Sequence, residues 1–205
     1  MNIPSWFSSP LQGGFFYGSL VVWEITELIN TLVIGRHRRG GRRRDRGSYL
    51  GVSIAVNLAF VLMLFIRQFG LGLLPAAFQW IGLALVWAGI LLREWAVLSL
   101  GRAFTVIVEV NPGQALVTFG PYRWVRHPSY TGSLITLGGF GFALGSWLGA
   151  GAATAIALAA FSYRVHVEER ALLEAFGEDY RAYMHRTGRF LPRIGGAPPI
   201  FRSPE

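Results

Sequence analysis

Long apolar runs separated by short polar ones limit what this chain can fold into more than any other feature. They lie at about 13–34, 49–66, 76–100 and 129–163. Backbone inside a bilayer has no water to satisfy its N–H and C=O groups, so spanning segments close their hydrogen bonds internally. A helix needs roughly 20 residues to cross a hydrocarbon core about 30 Å thick, the length of the first three runs. A mean hydropathy of +0.41 over 205 residues agrees. The expected fold is therefore all-α, a polytopic membrane bundle of about five transmembrane helices. The last two form a short hairpin, and a C-terminal cytoplasmic amphipathic helix follows. The expected organisation is one integral membrane domain over 1–205, with three spans in 13–100 and a second half in 101–192. A tail at 193–205 ends the chain, and the length leaves no room for a separate second domain.

The charge pattern narrows the chemistry. The net charge is +8, every basic residue apart from histidine is Arg, and the chain contains neither Lys nor Cys. Schiff-base chemistry, a lysine base, disulfides and a cysteine nucleophile are thereby excluded. The histidines, at 37, 127, 166 and 185, show no metal-ligand spacing, so no metal is expected. Much of the positive charge lies in RHRRGGRRRDR at 36–46, flanked on both sides by apolar spans. That context reads as a cytoplasmic juxtamembrane loop touching anionic lipids, and not as a nucleic-acid patch. Residues 1–12 carry no positive charge ahead of their apolar stretch, so no cleavable signal is expected, and Trp6 and Phe7 read as an interfacial lead-in.

Placing loop 36–46 in the cytoplasm puts the start of the chain outside and residue 100 inside. The hairpin then goes out and returns, which brings Arg123, Arg126, Arg164, Arg170 and Arg181 to the cytoplasmic side. Within the first span, Glu24 and Glu27 sit on adjacent turns of one face. Carboxylates there are either functional or partners for arginines of a neighbouring helix, and the sequence leaves both open. The second span has Asn57 as its only amide and ends at Arg67-Gln68, and 70–75 forms a turn. The third is apolar until Arg93-Glu94, in its last two turns.

After Gly101 the pattern changes. Residues 104–110 are β-branched enough to be extended, and Asn111-Pro112-Gly113 signals a turn. The most specified stretch follows, LVTFGPYRWVRHPSYTG at 116–132, with two prolines, four ring side chains and two arginines. Each proline fixes φ and turns its predecessor away from helix, so the backbone is held in one shape. It reads as the floor of a ligand site. The small residues Gly132, Gly138, Gly139, Gly141 and Gly145 let helices of the next hairpin approach closely, and either Gly145-Ser146 or 149–151 offers its reversal. In 164–186, Val165, Leu172, Leu173, Phe176, Tyr180 and Tyr183 recur at helical spacing, and Gly177 divides the segment into two helical pieces.

GPYRWVRHPSYTG, followed after the hairpin by R-x3-EE-x2-L-x3-FG-x2-Y-x2-Y, resembles the isoprenylcysteine carboxyl methyltransferase family. The resemblance covers about 92–192. It implies an integral membrane enzyme that uses S-adenosylmethionine to methylate a prenylated C-terminal carboxylate, releasing S-adenosylhomocysteine, with 101–192 as the cofactor-binding half. Carried over, Leu116 and Val117 would line the adenosine, with Tyr122, His127, Pro128, Ser129 and Tyr130 around the rest of the cofactor. Aromatic rings suit both a purine face and a sulfonium cation. His127 could instead be a structural cap on the following helix. Glu168 matches the family's cofactor-contacting carboxylate, and its neighbour Glu169 lies about 100° further round a helix, so only one of the two should face the pocket. Arg93 and Arg164 match the arginines that hold the reacting carboxylate. For Arg93 the alternative is an end-of-helix arginine paired with Glu94.

The acceptor implied is an isoprenylated cysteine or another lipid-like carboxylate, entering sideways from the bilayer to a site on the cytoplasmic face. In a bacterial source the membrane would be the plasma membrane. Rival readings are a phospholipid or lipid-amine N-methyltransferase, an NADPH-dependent sterol-reductase-like enzyme, and a non-enzymatic scaffold. Arginines at the acceptor would hinder an amine, which must be neutral to react.

Overall fold

The computed structural model of the chain describes residues 6–34, 48–101 and 116–193. The Arg-rich loop at 36–46, the extended stretch expected at 104–110, the turn at 111–113 and the tail beyond 193 lie outside the described residues. Five helices order the rest: α1 (Pro10–Ile29), α2 (Ser48–Gln68), α3 (Ala77–Leu100), α4 (Pro128–Ala143) and α5 (Trp147–Arg186). Their starts follow from local chemistry. Ser9 caps α1 by accepting the Gln12 N–H at 3.3 Å, with Pro10 in the first helical turn. Pro128 opens α4, and Ser146 caps α5 by accepting the Gly149 N–H at 3.0 Å. A 3-10 turn, Gly120–Arg123, precedes α4.

Among the described residues, α2, α3 and α5 are long and apolar enough to cross a membrane. The 16 residues of α4 rise only about 24 Å, and α1 carries Glu24 and Glu27 within its length. Outward-facing side chains are apolar where a soluble protein would be polar. Ile54, Leu58, Val61 and Phe65 form an exposed stripe along α2, more than half exposed each. Inside, Phe140 of α4 meets Phe16, Trp23 and Phe60 edge-on or tilted at 5.5–5.8 Å, tying α1 and α2 to the core.

The helices alternate in direction. At one end the Trp6 carbonyl accepts from Arg67 of α2 at 3.3 Å and from Gln79 of α3 at 2.7 Å. At the opposite end Asn30, just past α1, donates to Glu94 of α3 at 2.9 Å. The α2–α3 turn is stitched to the α4–α5 reversal: Leu74 N–H donates to the Gly145 carbonyl at 2.9 Å, and Trp147 N–H to that of Gly72 at 3.0 Å. Gly145, at φ 74°, makes the left-handed step that ends α4. The reversal thus falls at Gly145-Ser146, and Gly149 to Gly151 belong to α5. The last span and the amphipathic C-terminal segment are one continuous helix through Arg164, because no Gly or Pro interrupts 152–176. The break comes at Gly177, at φ 52°, as its position predicts.

The most extensive packing is between α3 and α4, where two glycines remove the side chains that would hold the backbones apart. A Cβ on Gly132 would stand 2.6 Å from the Gly89 carbonyl oxygen and 2.8 Å from the Arg93 nitrogen. No rotamer change relieves a clash with backbone. Gly132→Val is therefore expected to destabilise the bundle by about 1–3 kcal/mol, the scale of overpacking. Gly151→Ala, where nothing lies within 4 Å of the added carbon, should leave thermal unfolding in detergent unchanged or slightly raised.

Candidate active site

Arg93 lies one turn beyond Gly89, and Ser129 three residues before Gly132, so the helix contact sets the distance between them. Arg93 Nη1 donates to Ser129 Oγ at 2.7 Å. Its other edge faces Glu27 of α1: Nη2 donates to Oε2 at 2.6 Å, and Nε pairs with Oε1. Glu94 points elsewhere, to Asn30. Neighbouring helical residues diverge by about 100°, which is why Arg93 pairs across helices and not with Glu94. Glu24, by contrast, is exposed.

Tyr130 is the second node. Its hydroxyl donates to Glu168 Oε2 at 3.0 Å and accepts from Arg164 Nε at 2.9 Å. Its ring stacks between Phe161 at 5.0 Å and His127 at 5.8 Å. Arg164 is buried. Tyr122 lies in the 3-10 turn with its carbonyl accepting the Tyr183 hydroxyl at 2.6 Å. Burial, followed by the fields of Glu168, Tyr183 and Tyr130, pushes the Tyr122 phenol well up, against a smaller opposing pull from Arg93. It is a neutral hydroxyl at any working pH, and those fields mark it as a neighbour of the same cluster. Leu116 and Val117 are half-buried where the chain leads into this turn.

His127 faces the other way. Its ring is buried, with Nε2 3.4 Å from Glu169 Oε1. Glu169 also accepts from Arg126 Nε at 3.0 Å and from Arg189 Nη2 at 2.5 Å. The backbone joins in: Arg126 N–H donates to the Gly188 carbonyl at 2.8 Å and His127 N–H to that of Arg189 at 3.1 Å. Thr131 Oγ1 donates to the Phe190 carbonyl at 2.8 Å. Residues 187–190, just past α5, are thereby strapped to the loop that enters α4. Glu168 and Glu169 do diverge as their spacing predicts, one to Tyr130 and one to this strap.

The structure thus brings Arg93 and Ser129 together on one side and Tyr130, Arg164 and Glu168 on the other, with Tyr122 beside them. Pro128 contributes the start of α4. Sequence reasoning missed the clamp of Arg126, Glu169 and Arg189. Arg126 and Glu169 stand inside the recognised motifs, whereas nothing in the sequence around Arg189 marks it.

This half of the chain has relatives. Residues 80–174 match the model of the isoprenylcysteine carboxyl methyltransferase (ICMT) family. A probable protein-S-isoprenylcysteine O-methyltransferase of Oryza sativa subsp. indica is 35% identical over 118 residues, 57% of this chain and 62% of the rice protein. The protein-S-isoprenylcysteine O-methyltransferase of Xenopus laevis is 38% identical over 57% of this chain and 41% of its own length. The chain therefore spans less than two thirds of the curated ICMT relatives it matches. The fold agrees: the structure of a eukaryotic intramembrane Ras methyltransferase, ICMT, superposes with a TM-score of 0.65 at 24% identity, over 93% of this chain and 71% of that one. The Arg93 and Ser129 contact and the Tyr130, Arg164 and Glu168 cluster all fall within the ICMT-matched residues.

The clamp makes a stability prediction. Glu169→Ala would leave Arg126, whose side chain is 9% exposed, without its carboxylate. A loss of about 3–5 kcal/mol is expected, the cost of breaking a buried ion pair, read as a lowered unfolding midpoint. Arg181→Ala removes a pair with Glu178 in which both side chains are more than 60% exposed, and should change stability by less than about 1 kcal/mol.

Proposed function

We propose that the chain is a membrane methyltransferase that transfers a methyl group to the carboxylate of an isoprenylated cysteine or a similar lipid-like acceptor. The observation that carries this reading is a pair of arginines, the largely buried Arg93 and the buried Arg164, beside a carboxylate-and-aromatic cluster within the ICMT-matched residues. An anionic acceptor suits two guanidinium groups, and a lipid-amine acceptor does not. The whole chain, 1–205, would act as one membrane domain.

The donor set fits S-adenosylmethionine. Glu168 offers an anionic acceptor for an ammonium or for ribose hydroxyls. The rings of Tyr122 and Tyr130 suit a sulfonium, and the half-buried Leu116 and Val117 suit a purine. Ser129, His127 and Pro128 shape the loop that would carry the cofactor. When bound, the cofactor supplies an electrophilic methyl on sulfur and leaves as S-adenosylhomocysteine.

An α-carboxyl group titrates near about 3.5, so the acceptor is already ionised at neutral pH and needs no general base. Catalysis then rests on positioning, which can supply about 7–11 kcal/mol when the reacting atoms are held in line. In this reading Arg93 holds and orients the acceptor carboxylate, with Ser129 fixing the guanidinium. Arg164 acts through Tyr130, whose hydroxyl it steadies against Glu168.

Charge asymmetry supports a cytoplasmic site. Arg93, Arg123, Arg126, Arg164, Arg170, Arg181, Arg186 and Arg189 lie toward the site end of the bundle, whereas Arg67 lies at the other. Basic loops favour the cytoplasm, and in the sequence the Arg-rich loop 36–46 follows the end of α1 at which Asn30 meets Glu94. Anionic lipids would meet that loop.

Calorimetry on the detergent-purified chain tests the reading. S-adenosylhomocysteine is expected to bind and NADPH is not; the reverse result would make the chain a reductase. Arg93→Ala should abolish transfer with cofactor affinity held within a few-fold, and Glu168→Gln should weaken cofactor binding more than Glu169→Gln does. A large loss of cofactor affinity in Arg93→Ala would overturn the role assigned to that arginine.

A further inference from the structure

One charged group at the site, the Glu27 carboxylate on α1, has no part in the transfer described above. It is bound where it matters. A guanidinium presents its N–H donors along edges that match a carboxylate in two parallel bonds. On Arg93 both Nε and Nη2 lie against the two oxygens of Glu27, with the hydrogen bond formed at Nη2, and Nη1 donates one of its two N–H groups to Ser129. Glu27 is the more exposed partner, 30% against 13% for the Arg93 side chain.

We propose that Glu27 is a specificity-determining residue, an internal carboxylate that occupies the edge of Arg93 an acceptor carboxylate needs. The inference rests on the carboxyl-methylation reading of the site. An uncharged lipid cannot replace Glu27, whereas an acceptor carrying its own carboxylate can. The exchange keeps Arg93 paired throughout, so a largely buried cation is never left without a counter-charge, which would be costly. Displaced Glu27 has water within reach at its exposed side. Methylation removes the acceptor's charge, and Glu27 then reclaims Arg93 and displaces the neutral ester. Substrate selection and product release would follow from one ion-pair exchange.

The test uses the full chain saturated with S-adenosylhomocysteine, and an S-prenylated cysteine offered as free carboxylate or as methyl ester. Glu27→Gln should bind the carboxylate about tenfold more tightly, the scale of one charge-assisted contact. Its affinities for the ester and for S-adenosylhomocysteine should stay within about twofold of the parent. Glu27→Asp, with its carboxylate drawn back by one methylene, should fall between the two. Unchanged or weaker carboxylate binding in Glu27→Gln, or an equal gain for the ester, overturns the proposal. Should Glu27→Gln fail to fold, Glu27→Asp must by itself tighten carboxylate binding selectively, and its failure to do so is equally decisive. A parent chain that binds no S-adenosylhomocysteine at all refutes the methyltransferase reading instead.

Discussion

The site depends on how closely α3 and α4 approach. At Gly89 and Gly132 the two backbones are near enough that a single methyl group would meet main-chain atoms. Arg93 and Ser129 sit within a turn of that contact, so their 2.7 Å hydrogen bond is a consequence of it. In a membrane, where apolar side chains gain little by leaving lipid, such tight packing is itself a main source of helix association. Stability and site geometry therefore come from the same few atoms.

A second constraint works from the other side. Glu169 gathers Arg126, His127 and Arg189, and three bonds from the 126–131 stretch to the 188–190 carbonyls bind the chain after α5 to the entrance of α4. The loop that carries Tyr122, His127 and Ser129 is thus held at both edges. A loop so constrained presents its rings and its hydroxyl in one arrangement, which is what catalysis by positioning asks of a scaffold.

Charge balance ties the two nodes together. Arg93 is countered by Glu27, and Tyr130 links Arg164 to Glu168. Buried ionic groups are tolerated when each has a partner of opposite sign or a hydrogen bond. The proposed acceptor carboxylate would enter this balance as a competitor for one of those partners, and lose its charge on methylation. Under that proposal, the site would distinguish acid from ester by electrostatics.

Much of this was legible in the sequence because it is local. Apolar run lengths mark the helices, Pro128 opens α4, Gly177 breaks α5, and the 116–132 motif with Glu168 marks residues that the structure brings together, whereas α1 begins at Pro10 within the expected lead-in and the choice of Gly145 for the reversal came from packing. The proposed orientation in the membrane rests on loop charge. What only the tertiary structure decided is which charges meet. Which arginine Glu27 meets, and whether Arg93 turns to Glu94 or across to α1, depends on the rotation and separation of helices far apart in sequence. The strap through Arg189 likewise joins residues some 60 positions apart. Helical periodicity specifies the face a side chain occupies, and only packing determines what stands opposite that face.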